Sequence, residues 1–243
     1  HLYKSFVPVT DSLLGIKYVI LNSSMSSELS GDPYLKYIDK VTTSGNEPYS
    51  IYENTKALPL GYLVDPSITD WTPSRYDPFT SQNALYTQLT GRDINLYTMA
   101  DVEVESESDN IASVNGGVGF SINPNDGDKT ARFTAGITKP GHTYTFIDCR
   151  AAESIQVSSD GHSWDIPAHE PYIINTGMLR EDDEITISVT AKDSCSGNIY
   201  VGTLDQQLFE SVIDQFAANP MNVKSFSETR INGTINASKS GVV

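Results

Sequence analysis

Apolar and polar positions change rhythm along this chain, and the changes mark three segments. Between residues 101 and 205 the period is two. Val102 and Val104 alternate with Glu103 and Glu105, and Ala131, Phe133, Ala135 and Ile137 form a second alternating set. Ile185, Ile187 and Val189 give the cleanest alternation, and the pairs Tyr144/Phe146, Ile155/Val157 and Ile199/Val201 continue the series. Successive side chains of a strand point to opposite faces, so each set reads as the buried face of one strand. Turn chemistry separates the sets. Lys139-Pro140-Gly141-His142 carries Pro and Gly at the two central turn positions, and Ser159-Asp160-Gly161-His162 carries the Asp-Gly of a two-residue hairpin. This pattern predicts an antiparallel β-sandwich of jelly-roll type over 101–205. Phe133/Ala135/Ile137, Tyr144/Phe146, Ile155/Val157 and Ile185/Ile187/Val189 should face its core.

The flanks differ. Residues 1–100 read as an α+β portion. Gly15 to Leu21, Tyr34 to Val41 and Tyr49 to Glu53 are β-prone, and Thr42 to Pro48 has the Gly/Asn/Pro chemistry of a hairpin loop. Asp77-Pro78-Phe79 opens a helix, with Asp77 as N-cap and Pro78 where its missing N–H costs nothing. Leu85 and Leu89 share one face of that helix, and Gly91 ends it. A second helix begins at Asp205, carries Leu208, Phe209, Val212, Ile213 and Phe216 as an apolar stripe, and stops at Asn219-Pro220. Leu208, Val212 and Phe216 should be buried. Strand character returns in Val223 to Phe226 and Arg230 to Ala237. The expected fold class is mainly β: an α+β subdomain (1–100), a sandwich (101–205), and a helix followed by strands of a truncated subdomain (206–243).

Composition narrows the function by exclusion. Asp and Glu total 31 against 16 Lys and Arg, a formal net charge of −15. Nucleic-acid binding needs a basic footprint that releases phosphate counterions, and no Lys/Arg cluster exists here. No run approaches the roughly 18–20 apolar residues that span a bilayer, and no leader pattern precedes the first strand. The chain begins at His1 and stops at Gly241-Val242-Val243 within strand-like sequence, so it is expected to be a fragment. Its two cysteines, Cys149 and Cys195, fit one disulfide or two free thiols, a choice that compartment decides more than sequence.

Chemistry-bearing motifs are sparse. Asp126-Gly127-Asp128 lacks the spaced acids and distal Glu of a calcium loop and reads as a polar turn. His162 and His169 flank Trp164 and Asp165 without completing a zinc set. Asn115-Gly116-Gly117-Val118-Gly119 is glycine-rich, but no helix follows it to hold an anion, so it reads as a strand or bulge. Glu181, Asp182, Asp183 and Glu184 could supply paired carboxylates, yet such a run usually marks a solvated turn. No nucleophile elbow, phosphate loop or dinucleotide fingerprint occurs. No catalytic residue, metal ligand or cofactor is therefore assigned. Trp71, Tyr76 and Trp164 lie in turn-rich segments where flat rings could stack on a glycan, against the alternative that they seal internal seams.

An ordered set of short stretches carries a resemblance. It comprises Leu14-Gly15-Ile16-Lys17-Tyr18-Val19-Ile20, Tyr52-Glu53-Asn54, Ala57-Leu58-Pro59-Leu60-Gly61-Tyr62, and Asp77-Pro78-Phe79 running through Gln82-Asn83 to Leu89-Thr90-Gly91. Leu204-Asp205 and Ile231-Asn232-Gly233-Thr234-Ile235 complete it. Together they resemble the C-terminal extracytoplasmic region of YfhO-family bacterial membrane proteins. The resemblance implies a multi-spanning parent of glycosyltransferase type C architecture, which glycosylates cell-wall polymers such as lipoteichoic acid from a lipid-phosphate-linked sugar. Catalytic carboxylates of that architecture sit beside membrane helices, so none carries over to this chain. The implied partners are the membrane-spanning part of the same protein and a cell-wall glycopolymer. The implied location is the outer face of the cell membrane, where oxidation is permitted and a Cys149–Cys195 bond is expected. A free-standing carbohydrate-binding module and a secreted glycoside-active enzyme are the rival readings.

Overall fold

A computed structural model describes residues 5–22, 31–74, 77–106, 110–114, 116–124, 127–237 and 242, with only the backbone for 106 and 110–114. The chain divides into two compact units, His1–Ser5, Ser74–Ser81 and Tyr97–Asp205 in one, Phe6–Pro73, Gln82–Leu96 and Gln206–Val243 in the other.

The first unit is the sandwich. Its five-stranded sheet is built from β5 (Val102–Ser106), β8 (Lys129–Gly136), β10 (Ser154–Ser159), β11 (His162–Ile166) and β13 (Glu184–Ala191), in the order β11-β10-β13-β8-β5. The six-stranded sheet contains β6 (Asn110–Val114), β7 (Gly117–Ile122), β9 (Gly141–Asp148), β12 (Ile174–Leu179) and β14 (Cys195–Leu204), in the order β12-β9-β14-β7-β6. A short β4 (Tyr97–Met99) also pairs with β14. Within this unit β6–β7 and β10–β11 are hairpins inside one sheet, and the other connections from β5 to β14 cross between sheets. The hairpin at Asp160-Gly161 has φ of 44° and 78°, the left-handed pair that its sequence requires.

The alternating sets bury as expected, with one exception. Phe133, Ala135 and Ile137, Ile155 and Val157, and Ile185, Ile187 and Val189 all lie in one apolar core. Phe120 and Phe133, one from each sheet, meet there with ring centroids 4.9 Å apart. The exception is β9, where Ile147 faces that core and Tyr144 and Phe146 take the opposite face. Tyr144 is nonetheless fully buried against Tyr97, at 5.9 Å, and Phe146 is half-buried. The first half of β9, through Thr145, is buried on both faces, so an apolar residue at either parity satisfies burial there. Alternation then no longer says which face is the core.

The second unit assembles distant segments. A short α1 (Pro8–Leu13) precedes a three-stranded antiparallel sheet of β1 (Tyr18–Asn22), β2 (Leu35–Thr42) and β3 (Pro48–Asn54), ordered β1-β3-β2. The helix α2 (Pro78–Thr90) belongs to the first unit up to Ser81 and to this one from Gln82; it starts with the Asp77 carboxylate accepting from the N–H groups of Phe79 and Thr80, and Gly91 follows it with a φ of 62°. The buried face of α2 includes Phe79, Gln82, Tyr86 and Leu89, while Leu85 is half-buried. In α3 (Gln206–Ala217) the buried stripe is Phe209, Val212, Ile213 and Phe216, and Leu208 is only half-buried. The stripe thus runs i, i+3, i+4, i+7, which leaves Leu208 at its margin. Phe209 meets Tyr34 edge-on at 5.2 Å and Tyr86 at 6.4 Å, and Phe216 stacks on Tyr62 at 5.5 Å. The chain closes with the hairpin β15 (Asn222–Ser227) and β16 (Arg230–Thr234), exposed throughout; its second strand is shorter than the expected run to Ala237.

Candidate functional site

The outer face of the six-stranded sheet concentrates the most unusual surface chemistry of the sandwich unit. Register places Tyr144, Phe146 and Asp148 of β9 opposite Gly202, Tyr200 and Asn198 of β14. On the other side of β14, Tyr200, Asn198 and Ser196 face Gly117, Gly119 and Ser121 of β7. Burial declines along this face. Tyr144 and Gly202 are buried, Phe146, Asp148 and Asn198 are half-buried, and Ser196 is exposed. The phenyl ring of Phe79 closes the buried end over Gly202. The result is a strip with the Tyr200 ring packed on Gly117 at its middle, opening towards Asp148 and Asn198.

Carboxylates border the strip. The Tyr200 hydroxyl is held above its usual pKa by burial first, then by the negative fields of Asp77 and Asp148. Asp77 is buried; one oxygen caps α2 and the other, Oδ2, has no hydrogen-bond partner among the described residues. A Cβ at Gly116 would sit 3.5 Å from that oxygen, so the absent side chain there leaves it room. Asp148 holds Arg150 at 3.3 Å. Acceptor-only carboxylates beside aromatic rings suit a ligand rich in hydroxyl donors. The sequence reading missed Phe146, Asn198 and Tyr200. The available signal was the alternating Gly117-Val118-Gly119, which leaves one strand face bare.

Two of the sequence-nominated aromatics, Trp71 and Trp164, belong to different compact units. Trp71 follows a 3₁₀ turn, Pro66–Asp70, in the second unit; it is half-buried, and its indole N–H has no partner among the described residues. Trp164 belongs to the sandwich, on edge strand β11, half-buried against the core and stacked on His162 at 6.2 Å. Tyr76 lies outside the described residues, as does Asp126 of the turn weighed against calcium. Cys149 and Cys195 are buried free thiols in contact with each other, and burial, with Cys195 beside it, pushes Cys149 up to about 12.

The acidic run meets other acids. Glu181, Asp182 and Glu184 line a cavity of about 520 Å³ with Asp101, Glu103, Thr134 and Thr138, while Asp183 turns to accept the Arg180 N–H. Among the described residues no three His, Cys, Asp or Glu side chains converge as a metal-binding group. Nor is any helix there long and apolar enough to cross a membrane.

No curated protein matches the chain. Among solved structures it is similar to the N-terminal cellulose-binding domain of a β-1,4-glucanase from Cellulomonas fimi, at 12% identity. That match covers 44% of this chain and 88% of the other, with a TM-score of 0.27. It is also similar to a GH26–CBM35 β-(1,4)-mannanase from Podospora anserina, at 13% identity over 45% of this chain and 25% of that one, with a TM-score of 0.24. The family model described as bacterial membrane protein YfhO matches residues 3–243, and the chain belongs to that family.

Proposed function

We propose that this chain is an extracytoplasmic accessory domain of a YfhO-family membrane protein, non-catalytic in itself, that helps a parent glycosyltransferase position a cell-wall glycopolymer. Membership of a membrane-protein family across nearly the whole chain is the observation that carries this reading. The contact is assigned to the open end of the six-stranded sheet's outer face. There Phe146 offers an apolar ring beside Asp148 and Asn198, with Gly119 of β7 next to Asn198 in the register. Trp164, beside His162 at the edge of the other sheet, offers a second stacking place. A chain of net charge −15 does not attract a polyanion, so the contact must recognise neutral sugar units or use bridging cations. Such a contact is weak, with a Kd of roughly 0.1–1 mM, because few stacking and hydrogen-bonding groups must offset the entropy of association.

The purified chain should be incubated with a lipid-linked sugar donor and with labelled glycans, then titrated with lipoteichoic acid and with neutral oligosaccharides. No turnover and weak binding that shifts the Phe146 and Asn198 resonances are expected. Turnover above blank would replace this reading with that of a glycoside-active enzyme. Submicromolar binding to a neutral glycan would favour a carbohydrate-binding module.

A further inference from the structure

We infer that Cys149 and Cys195 are a disulfide site, closed in the mature protein, which clamps the two central strands of the six-stranded sheet. The inference adds a covalent modification to the proposed function and rests on its extracytoplasmic location for the oxidant. The chain has two cysteines in 243 residues, and those two touch. Cys149 directly follows β9, and Cys195 opens β14. These strands pair at Asn198 and Asp148, so one further step of the register sets Gly197 opposite Cys149, with Cys195 two residues away. The approach is close: a Cβ at Gly197 would lie 2.5 Å from the Asp148 carbonyl oxygen and 2.7 Å from the Cys149 Cβ. Only glycine at 197 lets the two chains close to this distance. Both cysteine side chains are buried in the sandwich core, where Cys195 acts on the Cys149 thiol as a direct neighbour.

Buried cysteines often serve merely as small apolar side chains. That role needs no second cysteine in contact, whereas a bond needs one at this place. The reduced Cys149 thiol is a poor nucleophile inside the folded core, since burial holds it protonated. Closure therefore belongs to folding, before the core excludes the oxidant. One cysteine thiolate attacks the disulfide of a thiol oxidoreductase or of oxidised glutathione, RSSR, forming a mixed disulfide and releasing one RS⁻. The second cysteine thiolate displaces the other RS⁻. The two cysteine sulfurs are oxidised, RSSR is reduced to two RSH, and the two cysteine protons end on the released thiols. The bond encloses β10 to β13 in one covalent loop.

The test has two arms. The chain is unfolded, reduced and refolded in a glutathione buffer, and separately recovered with its parent from bacterial membranes under alkylating conditions. Thiols are then counted in denaturant by maleimide mass tagging. No free thiol at Cys149 or Cys195 in either arm, with an unfolding midpoint of the refolded chain about 10 °C above that of the reduced one, is expected. Two free thiols after refolding in oxidised glutathione would overturn the disulfide site, whatever the location. A bond formed on refolding but absent from the membrane-recovered protein would overturn closure in the mature protein and, with it, the extracytoplasmic reading. Cys149→Ala and Cys195→Ala should each leave one thiol and the midpoint of the reduced protein, which separates loss of the bond from failure to fold.

Discussion

The ring of Tyr200 lies directly on Gly117. A Cβ at Gly117 would stand 2.6 Å from the Tyr200 Cδ1 and 2.3 Å from the carbonyl oxygen of Ile199. Backbone at that distance cannot give way as a side-chain tip can. Gly117→Ala should therefore destabilise the sandwich by about 2 kcal/mol or more, by forcing β7 away from β14. Gly136→Ala, where nothing lies within 4 Å, should change stability by less than about 0.5 kcal/mol. Urea unfolding of the two variants, followed by near-ultraviolet circular dichroism, checks the contrast. Equal costs would show that close packing at Gly117 is not what matters.

Phe209 is the hub of the second unit's aromatic packing, fully buried between Tyr34 and Tyr86. Phe209→Ala removes that ring and leaves a cavity, at a cost of about 3–5 kcal/mol. Hydrogen exchange should show α3, α2 and the segment around Tyr34 losing protection together. Loss confined to α3 would contradict the shared core.

His142 is buried, with no partner at Nδ1 among the described residues, and desolvation lowers its pKa although a hydrogen bond with Asn175 acts the other way. The unfolded chain binds the proton more readily than the folded one. Its contribution to stability is therefore complete above the ordinary value of about 6.5 and falls as the pH drops below it. The unfolding midpoint of the natural protein should drop from pH 7.5 to 5.5 by more than that of His142→Gln. Parallel curves for the two would remove His142 as the cause.

Phe226 and Ile231 face each other across the terminal hairpin at 72% and 43% exposure. Phe226→Ser with Ile231→Thr should leave global stability within about 0.5 kcal/mol, because neither side chain is buried. The loss should appear locally, as faster amide exchange in β15 and β16, since a two-stranded sheet relies on its cross-strand pairs. A global shift of several degrees would mean that the hairpin carries more of the fold than its exposure indicates.

If the outer sheet face holds sugar, Phe146→Ala should weaken glycan binding at least about threefold while Trp71→Ala changes it little. Trp71 belongs to the other compact unit and carries no neighbouring ring platform among the described residues. Isothermal titration with the same oligosaccharide decides between them. A larger loss at Trp71 would move the contact surface to the second unit.

Local rules determined much of this protein. Period-two alternation fixed the inner faces of β8, β10 and β13, because one face of each strand is apolar and a slip by one residue would expose it. Asp77-Pro78 and Gly91 set the ends of α2 through capping and a left-handed residue, and Asp160-Gly161 set its hairpin. Family membership was likewise legible from ordered short stretches, now matched over residues 3–243. What the sequence could not decide is what covers each face. Alternation in β9 named Tyr144 and Phe146, but the first half of that strand is buried on both faces, which satisfies burial at either parity, and only the packed sheets put Ile147 inside. The same holds for the surface: Tyr200, Asn198 and Phe146 come from strands more than fifty positions apart in sequence, and pairing alone brings them over the glycines of β7. Cys149 and Cys195 were visible as a pair, yet only the register of β9 against β14 brings their thiols into contact, because sequence spacing carries no information about which strands become neighbours.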